Sequence, residues 1–220
     1  MKKNIVKACI LMVVMMTSVC LALCVSPYLI KTEKTTTSYF SYPLYENLED
    51  LIAVSEDVIC VRVLSKENAK WTPYGPEEDA PLTITTDFVI EILSENGSSE
   101  GITILREYGG QVDGYTWEVG SSSDLLSVFE VGNTYVLCVV EYPEVTGGVS
   151  YTIDNDTYNF TSCYKLTSGP DSVFLVQENT NLSATTTMVF SQQYSIESYT
   201  GRYANVSISD FPIWQKGEIE

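Results

Sequence analysis

Any chemistry done by this chain must be done without histidine, which is absent from all 220 residues. That removes the side chain best suited to proton transfer near neutral pH, the Ser-His and Cys-His nucleophile pairs, and the commonest transition-metal ligand. Carboxylates are plentiful, 29 against 12 basic residues. A glycosidase pair needs two of them fixed across one sugar-binding cleft, and their spacing nominates no pair. Asp154-Asn155-Asp156-Thr157 groups oxygen ligands of the kind calcium takes, with Asp154 and Asp156 as the candidate metal residues. The run lacks the glycine and terminal glutamate of an EF-hand loop, and Asx-rich tips are also a common way to turn a hairpin. Glu77-Glu78-Asp79 has the same standing. Ser162-x-x-Lys165 has the serine–lysine spacing of some acyl-transfer enzymes, which place it at a helix start. Here the run reads as a strand, and no G-x-S-x-G is present.

Three of the six cysteines, Cys60, Cys138 and Cys163, lie beyond the N-terminal block. Cys60 and Cys138 sit in the two most apolar runs, where free cysteine behaves as a small hydrophobe. A bond between them stays open in an oxidising compartment. Three is an odd number, so no complete disulfide framework exists, and the spacing excludes a zinc ribbon. No cofactor is expected. The candidate binding residues are the loop aromatics Trp71, Tyr74, Tyr115 and Trp117, joined more distantly by Tyr151 and Trp214. They form either a ligand face for protein or sugar, or, for Trp71 and Trp117, caps on the ends of a barrel.

Charge and hydropathy divide the chain. Residues 1–34 hold Lys2, Lys3 and Lys7, followed from Ala8 to Ile30 by an almost wholly apolar run. As a helix that run is about 34 Å long, enough to span a bilayer. The lysines on its N-terminal side predict N-inside, C-outside orientation. A retained single-pass anchor, a cleaved signal and lipidation at Cys24 all stay open; each makes the remainder extracytoplasmic. Five bases and one acid precede residue 35, so the remainder carries seven bases and 28 acids, a net of −21. Such a surface repels phosphate, and nucleic acid is excluded as a partner. The acids are spread singly, as on a solvated face; a cationic partner is the sharper alternative.

The elements that must position these residues are strands. The stretch Thr83–Gly110 alternates with the two-residue period of a half-buried strand, turns through Ser94–Glu100, and resumes at Ile102 and Ile104. Asp57–Ser65 is apolar on both parities except Arg62 and should be central, as should Thr134–Tyr142. Leu48, Leu51, Ile52 and Ser55 fit one or two helical turns packed on the barrel. Residues 66–81 read as an acidic loop, Val112–Val119 as one strand, and Leu125–Phe129 as a short helix or irregular edge. Ser150–Ile153 and Tyr158–Leu166 flank a hairpin tip, and a late strand is expected around Thr186–Tyr194. The predicted organisation is an anchor over 1–34, a stalk over 35–45, a barrel domain over 46–180 and an extension over 181–220.

Several signatures occur in fixed order: L-x-x-L-I-x-x-S-x-x-V-I-x-V-x-V over Leu48–Val63, F-E-V-G-N-T-Y-V-L over Phe129–Leu137, and Y-K-L-T-S-G…V-F-L-V over Tyr164–Val176. Over residues 48–176 the chain resembles uncharacterised anchored or secreted proteins of Gram-positive bacteria. Its V-G-x-x-Y-V element also looks like the netrin-like and tissue-inhibitor type of OB barrel. The resemblance implies a mainly β fold, a small OB-like Greek-key barrel of five to six strands with one short helix behind an N-terminal transmembrane helix. The expectation is a non-enzymatic, membrane-anchored, extracytoplasmic interaction module that meets a cell-surface protein or glycan. A carboxylate-based extracellular hydrolase and a protease-inhibitor-like module are the alternatives.

Overall fold

The computed structural model describes residues 34–38, 42–73, 81–119, 125–142, 148–178 and 194–213. Contacts divide the chain into two compact units, Met1–Lys34 and Thr35–Glu220, and the described residues fall almost wholly in the second. The expected anchor helix, Tyr74, Glu77-Glu78-Asp79, Trp214 and residues 186–193 lie outside the described residues. Among the described residues no helix is long and apolar enough to cross a membrane.

In chain order the first elements are β1 (Lys34–Ser38), α1 (Leu48–Val54), β2 (Asp57–Lys66), β3 (Lys70–Pro73), β4 (Leu82–Leu93), β5 (Ser99–Tyr108), β6 (Gly110–Val112) and β7 (Tyr115–Val119). They are followed by α2 (Leu125–Val128), β8 (Thr134–Tyr142), β9 (Val149–Ile153), β10 (Asp156–Phe160), β11 (Cys163–Leu166), β12 (Val173–Glu178) and β13 (Tyr194–Ser198). Five strands close on themselves: β4 joins β2 and β5, β2 joins β8, β8 joins β11, and β11 returns to β5. Every ladder in the ring is antiparallel except β5 with β11, where Tyr164 lies beside Leu105. Closure removes the open edges that a flat sheet would present. A register shift between Val63 and Ser65 bends β2 around the ring.

The barrel's inside is set by strand parity. Ile59, Val61 and Val63 of β2, Phe88 and Ile90 of β4, Leu105 of β5, and Tyr135, Leu137 and Val139 of β8 pack together with Leu166. Phe129, just after α2, closes this cluster with its ring 4.9 Å from Phe88 and 5.3 Å from Tyr135. The Tyr135 phenol is satisfied by donating to the Val128 carbonyl at 2.8 Å. Apolar residues of the opposite parity need a second covering. Val58, Cys60, Val136 and Cys138 are buried beneath Leu51 of α1, Phe174 of β12 and the C-terminal residues Tyr203, Ile208, Phe211 and Ile213. A helix of seven residues is not stable alone; α1 holds through fully buried Leu51 and an Asn47 cap, whose side chain accepts from the Asp50 N–H at 2.8 Å. The third cluster, Val89, Ile104, Phe160 and Cys163, lies under the β9–β10 hairpin. Among the described residues the three cysteines, Cys60, Cys138 and Cys163, are free and buried. Cys60 faces Val136 and Cys138 faces Val58 across the β2–β8 ladder, so the two thiols are not opposed.

Several elements differ from expectation. The run Val112–Val119 is not one strand but the hairpin β6–β7, because Asp113 (φ 52°) and Gly114 (φ 81°) adopt the left-handed pair that a two-residue turn requires. The run Tyr158–Leu166 breaks at Thr161-Ser162 into β10 and β11, which pair with different strands. Within the expected acidic loop, Lys70–Pro73 forms β3 against β4. Leu125–Val128, by contrast, is a short helix, the first of the two alternatives expected for that run.

Gly109-Gly110 lets the chain leave β5 and pass close to its own start. Gly110 has φ +124°, a region that side chains avoid, and a Cβ there would collide with the Ala69 Cβ and the Thr86 hydroxyl. Gly110→Ala is expected to cost roughly 2–4 kcal/mol in urea unfolding, from strain and overpacking together. Gly101→Ala, whose Cβ meets nothing within 4 Å, should stay close to wild type.

Candidate functional site

The short strand β3 has two sides, and each meets a different part of the barrel. Lys70 lies opposite Thr85 and Trp71 opposite Ile84, so Lys70 and Thr72 share the outer face of β4 with Thr85 and Asp87. Trp71 and Pro73 project the other way, toward Ile84 and Leu82.

On the first side a charge cluster is sealed beneath the β9–β10 hairpin. Asp87 is fully buried, and Arg106 from the facing position on β5 grips it with two bonds of 2.7 Å, Nε to Oδ1 and Nη2 to Oδ2. Lys70 Nζ donates to the same carboxylate at 2.7 Å and the Tyr151 hydroxyl at 2.6 Å. Lys70 and Tyr151 also lie 2.6 Å apart. Burial alone would raise the Asp87 pKa, but the bonds and charge of Arg106, aided by Lys70 and Tyr151, hold it below the ordinary carboxyl range. Burial and the adjacent Asp87 carboxylate push the Tyr151 phenol upward. The cluster is saturated. Its chemical capacity is structural: it fastens β3 and the hairpin tip strand to one wall of the barrel, with Thr72 and Thr85 adding a hydroxyl pair at 2.7 Å.

On the second side lies an exposed aromatic ledge. Trp71 is 38% exposed and Tyr115 40%, with ring centroids 5.6 Å apart at 68°. Pro73 and Leu82 continue the apolar surface along the β3–β4 ladder; both are exposed. Tyr115 opens β7 directly after the Asp113-Gly114 turn. Of the candidate binding residues, Trp71 and Tyr115 are thus brought together. Trp117 is half-buried on β7, opposite Gly110, and Tyr74 lies outside the described residues. Asp154 and Asp156 are exposed at the β9–β10 tip, where Asp154 (φ 49°) and Asn155 (φ 76°) make the turn. Among the described residues no group of three or more His, Cys, Asp or Glu is placed to hold a metal ion. Ser162 precedes β11 and Lys165 lies within it, its ammonium 2.8 Å from the Tyr108 hydroxyl and 3.9 Å from the centroid of Tyr142.

Glu107 is the second acid with a shifted pKa. It is buried on the inward face of β5, opposite Thr86, and accepts from the Leu166 N–H at 2.9 Å and the Tyr42 hydroxyl at 3.3 Å. Burial raises it to about 7 against the opposing pull of the Leu166 N–H, Lys165 and Tyr42. Asp87 and Glu107 therefore lie on opposite faces of the β4–β5 wall and do not face one another across a cleft. An acid in the middle of β4, Asp87, and the one base of β5, Arg106, both within apolar runs, were the available signal for the charge cluster; their pairing required the hairpin register.

The chain matches none of the protein-family models, curated proteins or solved structures with which it was compared.

Removing the Asp87 charge leaves Arg106 buried without its partner, and Asp87→Asn should cost about 3–5 kcal/mol in chemical denaturation. The double change Asp87→Leu with Arg106→Met should recover more than half of that loss, which a purely steric role for Asp87 does not allow. Glu107 gives a separate pH signature. Its folded pKa lies above the ordinary 4.5, so the folded state binds the extra proton between those values. Stability falls as pH rises through that window and stays low above it. Wild type should lose about 2–3 kcal/mol between pH 5 and pH 8, and Glu107→Gln should lose little of that. Equal losses in the two proteins overturn the assignment. Asp87, with a depressed pKa, acts only at lower pH, its stabilisation being lost as pH falls below the ordinary carboxyl range.

Proposed function

We propose that this chain is a non-enzymatic binding module, held at the outer face of the cell membrane by its N-terminal segment, that presents the Trp71–Tyr115 ledge to a cell-surface ligand. The observation that carries the reading is a solvent-exposed Trp71 fixed edge-on to an exposed Tyr115, on a strand fastened from behind by a buried charge cluster. Exposed aromatics on a rigid support are the usual anchors of recognition surfaces.

The barrel supports an OB-like Greek-key reading. Counted along the chain, its five strands close in the order one, two, three, five, four, and only the third and fifth run parallel. OB-type barrels bind on the face of strands two and three and on the loops one–two and four–five. Here the first of those loops contributes Lys70 and Trp71, and the second contributes Tyr151. A ligand at this place is not nucleic acid, given the net charge of −21 beyond residue 34. Lys2, Lys3 and Lys7 ahead of the apolar run support attachment with the barrel outside. A carboxylate hydrolase draws no support from Asp87 and Glu107, one saturated and the other enclosed, on opposite faces of one wall.

The test is made in intact cells with the full chain. Protease added outside should remove the barrel domain, and a photo-crosslinking residue at Leu82, exposed on the ledge side of the β3–β4 ladder, should capture the same partner repeatedly. Capture should be lost in Trp71→Ala and Tyr115→Ala while the protein level holds. A domain protected from external protease, or a crosslink indifferent to both substitutions, sinks the reading.

A further inference from the structure

Beyond residue 35 there are only seven basic residues, and the six whose side chains are described are all engaged within the protein. Arg62 pairs with Glu91 at 3.1 Å and Arg202 with Asp171 at 3.3 Å. Lys70 and Arg106 are spent on Asp87, Lys66 donates to the Leu126 carbonyl at 2.6 Å, and Lys165 lies against Tyr108 and Tyr142. The described cations are thus committed to internal partners, and over the whole stretch beyond residue 34 the sequence holds 28 acids against seven bases. The field this creates reaches the ledge. Exposed Asp113, in the turn that leads directly into Tyr115, sets one of those acids beside the ledge; Glu118, also exposed, lies on the opposite face of β7 by strand parity. An aromatic face already attracts a cation through its quadrupole, more so where the cation sheds water. The same contact is built internally, where the Lys165 ammonium lies 3.9 Å from the Tyr142 centroid.

We propose that the Trp71–Tyr115 ledge docks a cationic peptide segment: a lysine or arginine head over the two rings, with a neighbouring apolar side chain on Pro73 and Leu82. The proposal rests on the binding-module reading and names its ligand class. Charge decides among the candidates. An anionic polymer is repelled, and a neutral glycan can stack on Trp71 but gains nothing from the surrounding field. A basic, partly apolar peptide gains both the stacking surface and the long-range attraction, which also speeds its encounter. The charge cluster behind β3 contributes by holding the ledge in place before the partner arrives, so little ordering is left to be done on binding.

The test uses the full chain in neutral detergent and three probes: a labelled synthetic peptide alternating lysine and leucine, the same peptide with every lysine acetylated, and a neutral chitin-type oligosaccharide. Binding is read by fluorescence anisotropy. The lysine peptide should bind, acetylation should weaken it by roughly tenfold or more, and Trp71→Ala should weaken it by a similar factor. Its dissociation constant should rise steeply as salt increases from about 50 to about 300 mM. Tyr199→Ala, exposed elsewhere on the surface, should leave binding unchanged. Equal binding of the acetylated peptide, or binding indifferent to Trp71→Ala, overturns the proposal. Oligosaccharide binding that depends on Trp71, with none by the peptide, also overturns it but leaves the binding-module reading standing. Silence from all three probes overturns the cationic assignment, and the crosslink in intact cells then decides the broader reading by itself.

Discussion

A carboxylate taken wholly out of water is tolerated only where opposite charge and hydrogen bonds replace its hydration. Asp87 is such a group, and much of the barrel's outer architecture is arranged around meeting its demand. Arg106 supplies two bonds from within the same wall, which ties β4 to β5 beyond their backbone ladder. Lys70 supplies one from β3 and Tyr151 one from β9. Two connections that are far apart in sequence are thereby brought onto one face. Without that demand, a four-residue edge strand such as β3 would have little beyond its ladder to hold it. The pair gives specificity of placement more than net stability, since desolvating both ions offsets most of their attraction.

The ledge is the solvent side of the same arrangement. The strand that turns Lys70 and Thr72 onto the outer face of β4, toward Asp87, necessarily sends Trp71 and Pro73 to the opposite side, because successive side chains on a strand alternate. Fixing one parity therefore fixes the other. The buried face thus fixes the backbone that carries Trp71, whose ring meets Tyr115 edge-on. Gly109-Gly110 completes the geometry by allowing β6 to run close against the start of β3, and the left-handed Asp113-Gly114 turn then returns the chain to deliver Tyr115.

Much of the barrel was legible in the chain. The alternation through Thr83–Gly110 marks the β4–β5 hairpin, and the doubly apolar runs around Cys60 and Cys138 mark strands covered on both faces. The interior strand position of Asp57–Lys66 follows from the same pattern, with Arg62 the one exposed residue between Val58 and Val63. What sequence could not supply was register. Asp87 pairs with Arg106 only because the Ser94–Ser98 turn sets β4 against β5 in one of several possible offsets. A shift of one residue would send both charges to the other face. The break at Asp113-Gly114 was legible as an Asp-Gly turn between alternating apolar residues and was passed over for the longer apolar run, whereas the break at Thr161-Ser162 shows only in the different partners that β10 and β11 take. The meeting of Trp71 with Tyr115 joins residues 44 positions apart in the chain through three strand ladders and two turns. Local pattern carries no information of that range.

Tyr42 has a mechanical consequence. Its ring lies against Gly169, a position where any Cβ would collide with it, and its hydroxyl reaches Glu107 inside the barrel. The Ser168 hydroxyl grips the carbonyl of Pro43, and Arg202 and Tyr203 hold that of Tyr45. Tension applied to the chain at residue 42 is carried through these contacts into Glu107 of the barrel wall and the Ser168-Gly169 turn before it reaches α1 and β2.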